Sequence, residues 1–267
     1  LSDNKDVQVI SAVQAGSGWS IMMNVEKAPT SDVKVRQALE WATDKQGLID
    51  TVYGGAHKVG CSPLTPNLLG FDKSTCDKYK FDTAKAGAIL DEAGWKLGAD
   101  GMRAKDGQKL TVDFHFRSDS GTSKAMATFI QANWKKSGVD VQLFGAERAG
   151  YLDAVRAGKH NNQFWWETGT DPDVVRILFH SQNASGGTNR NRYKNADMDK
   201  LIDAAAAESD PAKRSEIYAK VQAKALDEAI MIFMADPITI VGAGKNVKGA
   251  VLDWGGNYPL FHGASLN

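Results

Sequence analysis

Hydrophobic and polar positions recur along this chain with periods of about two and about 3.6 residues, and they divide it into strands and helices. Val7 to Val13 and Trp19 to Val25 read as short strands separated by the turn-forming cluster Ala15-Gly16-Ser17-Gly18. Behind Ser31 or Asp32 as N-cap, Val35, Ala38, Leu39 and Ala42 fall at helical spacing; Asp44 can cap a second helix with Leu48, Ile49 and Val52, stopped by Gly54-Gly55. The stretch from Cys61 to Lys80 is loop-like. Asp82 then opens a helix with Ala86, Ile89, Leu90 and Ala93 inward and Gly94 at its end.

The turn dipeptides Asp100-Gly101 and Asp106-Gly107 precede Leu110, Val112, Phe114 and Phe116, whose alternation with polar neighbours predicts a half-buried strand. A helix carrying Ala125, Met126, Phe129, Ile130 and Trp134 closes at Gly138 before a strand from Val139 to Phe144. The right-handed crossover rule makes the two strands of this unit parallel if they share a sheet. A short helix from Tyr151 to Ala157 leads to an apolar strand, Gln163 to Trp166, which Asp171-Pro172 interrupts. Two further helices run from Asp197 to Ala207 and from Pro211 to about Asp227, the second with Asp210 as N-cap. Ile230 to Met234 and Ile238 to Val241 read as strands around Asp236-Pro237, and Val247 to Leu252 as a weak third. The alternation of strands and helices predicts an α/β protein.

The length, 267 residues, is enough for one large domain or two modest ones. Lysine plus arginine equals aspartate plus glutamate at 32 each, so charge gives no case for a nucleic-acid partner. No run is apolar and long enough to span a bilayer, and the opening Leu1-Ser2-Asp3-Asn4-Lys5-Asp6 is polar where a secretory signal is apolar. Cys61 and Cys76 flank a segment with Pro63, Pro66, Asn67 and Gly70 that can fold back on itself. A local disulfide is the expected state, with two free thiols as the alternative; the pairing would indicate an oxidising compartment. No Cys-x-x-Cys or nearby histidine pair supplies a metal set, and no metal or other cofactor is expected.

Phosphate loops, dinucleotide fingerprints, the zinc-protease motif and the Gly-x-Ser-x-Gly elbow are all missing from the sequence. His57, His115, His160, His180 and His262 are scattered with no pair on one helical face. Asp171 and Asp173 could serve acid and base chemistry, but Asp171-Pro172-Asp173 is better explained as a helix start with carboxylates near its positive end. No catalytic residue is therefore assigned. Residues 161 to 193 instead concentrate indole, amide and charged groups: Asn161, Asn162, Trp165, Trp166, Glu167, Thr168, Asp171, Asn191, Arg192 and Tyr193. Solute clefts need this mixture, with aromatic rings for apolar contact and a few polar groups for orientation. Because strand side chains alternate, one of Trp165 and Trp166 is expected in the core and the other in a cleft.

In order and spacing the chain resembles the extracellular solute-binding proteins of family 5, the dipeptide, oligopeptide and nickel receptors of ATP-binding cassette (ABC) importers. The elements that carry the resemblance begin with Asn24, then Asp32-Val33-Lys34-Val35-Arg36-Gln37-Ala38-Leu39 and Ala42-Thr43-Asp44-Lys45. They continue with Tyr79-Lys80-Phe81-Asp82 before Ala93-Gly94-Trp95, with Trp134-Lys135-Lys136-Ser137-Gly138-Val139, and with Trp165 to Pro172. Tyr193-Lys194-Asn195-Ala196-Asp197-Met198-Asp199-Lys200-Leu201-Ile202, followed by Arg214 and Tyr218, completes them. The acidic residue usual after the tryptophan is replaced by Thr168 or Gly169.

The resemblance implies a type II periplasmic-binding-protein lobe, a mixed sheet flanked by helices, with the first lobe largely absent. Residues 1–245 would be the second lobe and 246–267 a tail returning toward the first. It further implies solute binding by hinge closure without covalent chemistry, and a periplasmic or extracellular location, with lipid anchoring of a longer form left open. The partners would be a small solute such as a peptide, a membrane ABC permease and the missing first lobe. The expected ligand-binding residues are Asn24, Trp165, Trp166, Thr168, Asp171, Asn191, Arg192 and Tyr193, with Cys61 and Cys76 as the disulfide. Arg36 is read as a structural anchor for the start of its helix. The rival readings are a stand-alone protein-interaction domain and a hydrolase lacking a familiar motif.

Overall fold

The computed structural model describes residues 4–266; the first three positions of the polar opening segment and Asn267 of the tail lie outside them. Strand β1 (Val7–Val13) leads through the glycine turn to β2 (Trp19–Met23), two residues shorter than expected because Asn24 turns the chain away. Helix α1 (Val33–Trp41) starts at Asp32, whose carboxylate accepts from Lys34 N, and α2 (Lys45–Tyr53) starts at Asp44, which accepts from Gly47 N. Gly54, in the left-handed conformation, ends α2. A two-residue strand β3 (Lys58–Val59) precedes the Cys61–Cys76 disulfide, and Lys73–Asp77 forms a short 3₁₀ turn inside the expected loop. After α3 (Thr83–Glu92) comes a small three-stranded sheet of β4 (Lys96–Leu97), β5 (Arg103–Lys105) and β6 (Gln108–Lys109), too short to show a period in sequence.

The centre of the fold is the run β7 (Thr111–Arg117), α4 (Gly121–Lys135), β8 (Asp140–Ala146), α5 (Arg148–Arg156) and β9 (Asn162–Trp165). Here α5 begins earlier than the expected Tyr151, with Glu147 as its N-cap residue. Helices α6 (Val174–Phe179), α7 (Ala196–Ala207) and α8 (Pro211–Asp227) follow, then β10 (Met231–Asp236) and β11 (Ile238–Gly244). Residues beyond 245 form four two-residue strands, β12 (Val247–Lys248), β13 (Val251–Leu252), β14 (Pro259–Leu260) and β15 (Ser265–Leu266), so the expected third strand is split between two small sheets.

The main sheet runs β3-β10-β2-β9-β7-β8 and is mixed: β7 is parallel to both β8 and β9, whereas the β3, β10, β2 and β9 pairings are antiparallel. Two cores cover its faces. Ile21, Met23, Val112, Phe114 and Phe116 point into one, closed by α1 to α4; Met22, Met231 and Phe233 point into the other, closed by α6 to α8. Fully buried Trp134 ties α4 to the α1–α2 junction, its Nε1 donating to Thr43 Oγ1 at 2.9 Å while Asp44 N donates to Asn133 Oδ1 at 2.8 Å. Burying such a ring contributes about 2 to 3 kcal/mol. Although adjacent in sequence, β10 and β11 part at Pro237: β11 pairs antiparallel with β1 over seven residues as a separate two-stranded ladder.

Candidate functional site

Strand order places the best site for a ligand. From β7 the chain goes to β8 on one side, then back across β7 to β9 on the other, so α4 leaves the C-terminal end of β7 and α5 that of β8 in opposite directions along the sheet. Such a switch point leaves a crevice beyond the strand ends. Arg117 closes β7 there, Phe164 and Trp165 close β9, and antiparallel β2 brings Trp19 to the same edge.

The crevice is occupied by two adjoining cavities. One, of about 470 Å³, is lined by Arg117, Arg148, Arg156 and Arg190 with Tyr151, Leu152 and Trp165. The other, of about 300 Å³, is lined mainly by Trp19, Tyr53, Met126, Phe164 and Trp166. Ser120, Ser123, Phe164, Trp165 and Trp166 border both. The result is a continuous cleft with a guanidinium end and an aromatic end. Its aromatic end is fixed by Trp19 against Tyr53 at 4.6 Å between ring centroids, with the Tyr53 hydroxyl on Met126 Sδ.

Arg190 is the unusual group. It is only 7% exposed, yet its Nε and Nη1 are buried without a hydrogen-bond partner among the described residues. The guanidinium lies over the Trp165 ring, 3.3 Å from its centroid, a cation–π contact made by a buried side chain. Its backbone is held by His160, whose Nε2 donates to the Arg190 carbonyl at 3.0 Å and whose own pKa burial pushes down to about 3. Trp165 Nε1 donates in turn to Glu167 Oε1 at 2.7 Å, and burial raises that carboxyl's pKa. Burial lowers the Arg190 pKa, because few groups offset its desolvation. Tyr151, buried beneath, donates its hydroxyl to Gln163 Oε1 and fixes α5 on the sheet.

Of the residues expected from sequence, the structure brings Trp165 and Trp166 to this cleft: Trp165, half-buried, also packs against the second core, and Trp166 is 48% exposed. The chain leaves β9 at Trp165, so strict alternation no longer governs Trp166. Thr168 and Asp171 lie on a separate depression with Arg176 and Arg214. Desolvation by its surroundings opposes ionisation of the exposed Asp171, but the Arg214 guanidinium grips both of its oxygens and holds its pKa below the usual range. Asn24 is interior: its amide donates to the carbonyls of Gly158 and His160, and its oxygen accepts from Glu26 N. Asn191 is likewise buried, donating to the Leu178 carbonyl, and Tyr193 is buried in the second core. Arg192 turns from the cleft to pair with Glu26. None of these four lines either cavity of the cleft.

Sequence reasoning missed Arg190, two positions from Arg192, and the α5 pair Arg148 and Arg156. The second omission was legible, since Arg148, Leu152 and Arg156 fall at i, i+4 and i+8 on one helical face. The disulfide is formed between Cys61 and Cys76.

Comparison with known proteins agrees with this architecture. The sequence profile of the bacterial extracellular solute-binding proteins, family 5 Middle, matches residues 1–189. The chain is 31% identical to the dipeptide-binding protein of Escherichia coli (strain K12) over 256 residues, 95% of this chain and 46% of that protein. It is 31% identical to heme-binding protein A of Haemophilus influenzae (strain ATCC 51907 / DSM 11121 / KW20 / Rd) over 250 residues, 92% of this chain and 44% of that one. The structure of HbpA2 from Haemophilus parasuis superposes with a TM-score of 0.87 at 27% identity, covering all of this chain and 51% of that one. The chain thus spans about half the length of the relatives it matches, and its fold is that of a type II periplasmic binding protein. This chain belongs to the bacterial extracellular solute-binding proteins of family 5.

Proposed function

We propose that this chain supplies one wall of the solute-binding cleft of an ABC-type importer receptor, working by hinge closure and without covalent chemistry, outside the cytoplasm. The observation that carries the reading is Arg190, a buried guanidinium that lines a cavity, lies over an indole and has two donors without a partner among the described residues. Unpartnered buried polar groups cost stability, and a ligand that accepts their hydrogen bonds recovers that cost. The relatives bind dipeptides or heme by name, which supports a peptide or another small solute as cargo. A membrane permease would be the receiving partner.

On this reading residues up to 245 form the lobe, and the β1–β11 ladder is the flexible connection about which it rotates against an opposite lobe. The segment from 246 then returns toward that lobe. Its support is a row of exposed apolar side chains, Val251, Trp254, Tyr258, Leu260 and Phe261. A stand-alone interaction domain would use the same row for self-association; a strictly monomeric species in light scattering removes that reading.

Calorimetric titration with mixed di- and tripeptides tests the main one. A half-cleft binds with a dissociation constant of about 100 µM or weaker, since half of the ligand surface stays wet. Submicromolar affinity would contradict a half-site.

A further inference from the structure

We propose that the solute of this cleft is an acidic one, carrying two negative charges at one end of an apolar or aromatic body; this rests on the cleft being the solute site. The charge inventory of the cavity leads there. Arg117 is already matched, its Nε and Nη2 donating to the two oxygens of Asp119. Arg148, Arg156 and Arg190 have no carboxylate within ion-pair distance among the described residues, and Glu167 is engaged by the Trp165 indole. One ligand carboxylate would satisfy Arg190 and leave the two exposed α5 arginines at the cavity edge without a counter-charge among the described residues.

Two independent features point the same way. Arg148 and Arg156 are exposed and sit two turns apart on one face of α5, with Leu152 between them, so they border the cavity at its open side while Arg190 forms its floor. The N-terminal turn of the 15-residue helix α4 also faces the cavity through Ser120 and Ser123 and contains no acidic residue. Its partial positive charge adds to the arginine field. Opposite this cationic end, Trp19, Tyr53, Met126 and Phe164 offer apolar surface for the body of the solute.

Three peptides of one shape separate the possibilities: Phe-Asp with two carboxylates, Phe-Asn with one, and Phe-Asn amide with none. Their binding to the whole chain is followed by tryptophan fluorescence, confirmed by ligand-observed NMR. At low salt Phe-Asp binds about tenfold or more tighter than Phe-Asn, and the advantage shrinks in about 0.5 M salt. The exposed double variant Arg148→Gln, Arg156→Gln keeps the fold and weakens Phe-Asp by about tenfold. Equal affinity for all three peptides overturns the acidic-solute proposal and leaves the cleft as a peptide site. An undiminished Phe-Asp preference in the double variant overturns it as well. If none binds at about 10 mM, the cleft is not the solute site and both readings fall.

Discussion

Two buried arginines, Arg36 and Arg190, are nearly equal in exposure, 5% and 7%, and opposite in their surroundings. Arg36 projects from α1 into a ring of carbonyls: Nε donates to Glu228 and Ala229, Nη1 to Thr30 and Ser31, and Nη2 to Glu228. It ties α1 to the end of α8. Arg190 has an indole beneath it and a cavity beside it. Burial pushes the pKa of both down, so both meet a desolvation cost, but only Arg36 recovers it within the chain. A buried charge satisfied by backbone is architecture; one left with free donors at a cavity is a seat for something else.

Replacing Arg36 with methionine gives the largest effect, a loss of about 3 to 5 kcal/mol in urea unfolding, because several buried carbonyls lose their donor. A loss below about 1 kcal/mol would break the contrast at its architectural end.

Asp236 is a third buried ionisable group and sharpens the contrast through pH. Burial pushes its pKa up to about 7, with Lys58 and Lys45 pulling the other way. The unfolded value is about 4, so between about pH 4 and 7 the folded chain holds a proton that the unfolded chain has released, and this group's contribution to stability falls as pH rises. Asp236→Asn therefore gains on the parent across that window, by on the order of 3 kcal/mol at pH 8. Parallel stability–pH curves for the two proteins would refute the assignment.

Arg190→Met is expected to change stability by less than about 1 kcal/mol, or to raise it, while abolishing Phe-Asp binding. A penalty as large as that of Arg36→Met would show that Arg190 is structural after all. Asp171→Asn, which breaks an exposed ion pair with Arg214, should cost under about 1 kcal/mol and leave Phe-Asp binding intact. Lost binding there would restore the 168–171 segment to the site.

Arg36 was readable as structural because the helix around it is marked by local signals: Asp32 as cap, and Val35, Ala38 and Leu39 at fixed spacing. The same local logic delivered the β7–α4–β8 unit and the positions of α7 and α8. The cleft was only half legible. Trp165 and Trp166 stand out by composition, but Arg190 differs from Arg192 only in the direction its side chain takes. The backbone there takes a left-handed turn at Arg192, φ 57°, and His160 holds the Arg190 carbonyl from 30 residues away, neither of which shows in sequence. Asn24 is the complementary case: a buried amide bonded to the Gly158 and His160 carbonyls reads, in sequence, the same as a ligand contact. The separation of β10 from β11 at Pro237 is likewise a choice of partners far away in the chain.

The most direct test is a crystal structure of this chain with Phe-Asp bound. A carboxylate oxygen should lie within hydrogen-bond distance of the Arg190 guanidinium, a second carboxylate toward Arg148 and Arg156, and the phenyl ring beside Trp19 and Tyr53. Phe-Asp seated away from Trp165, or a cleft left empty while the peptide occupies another surface, would contradict the account.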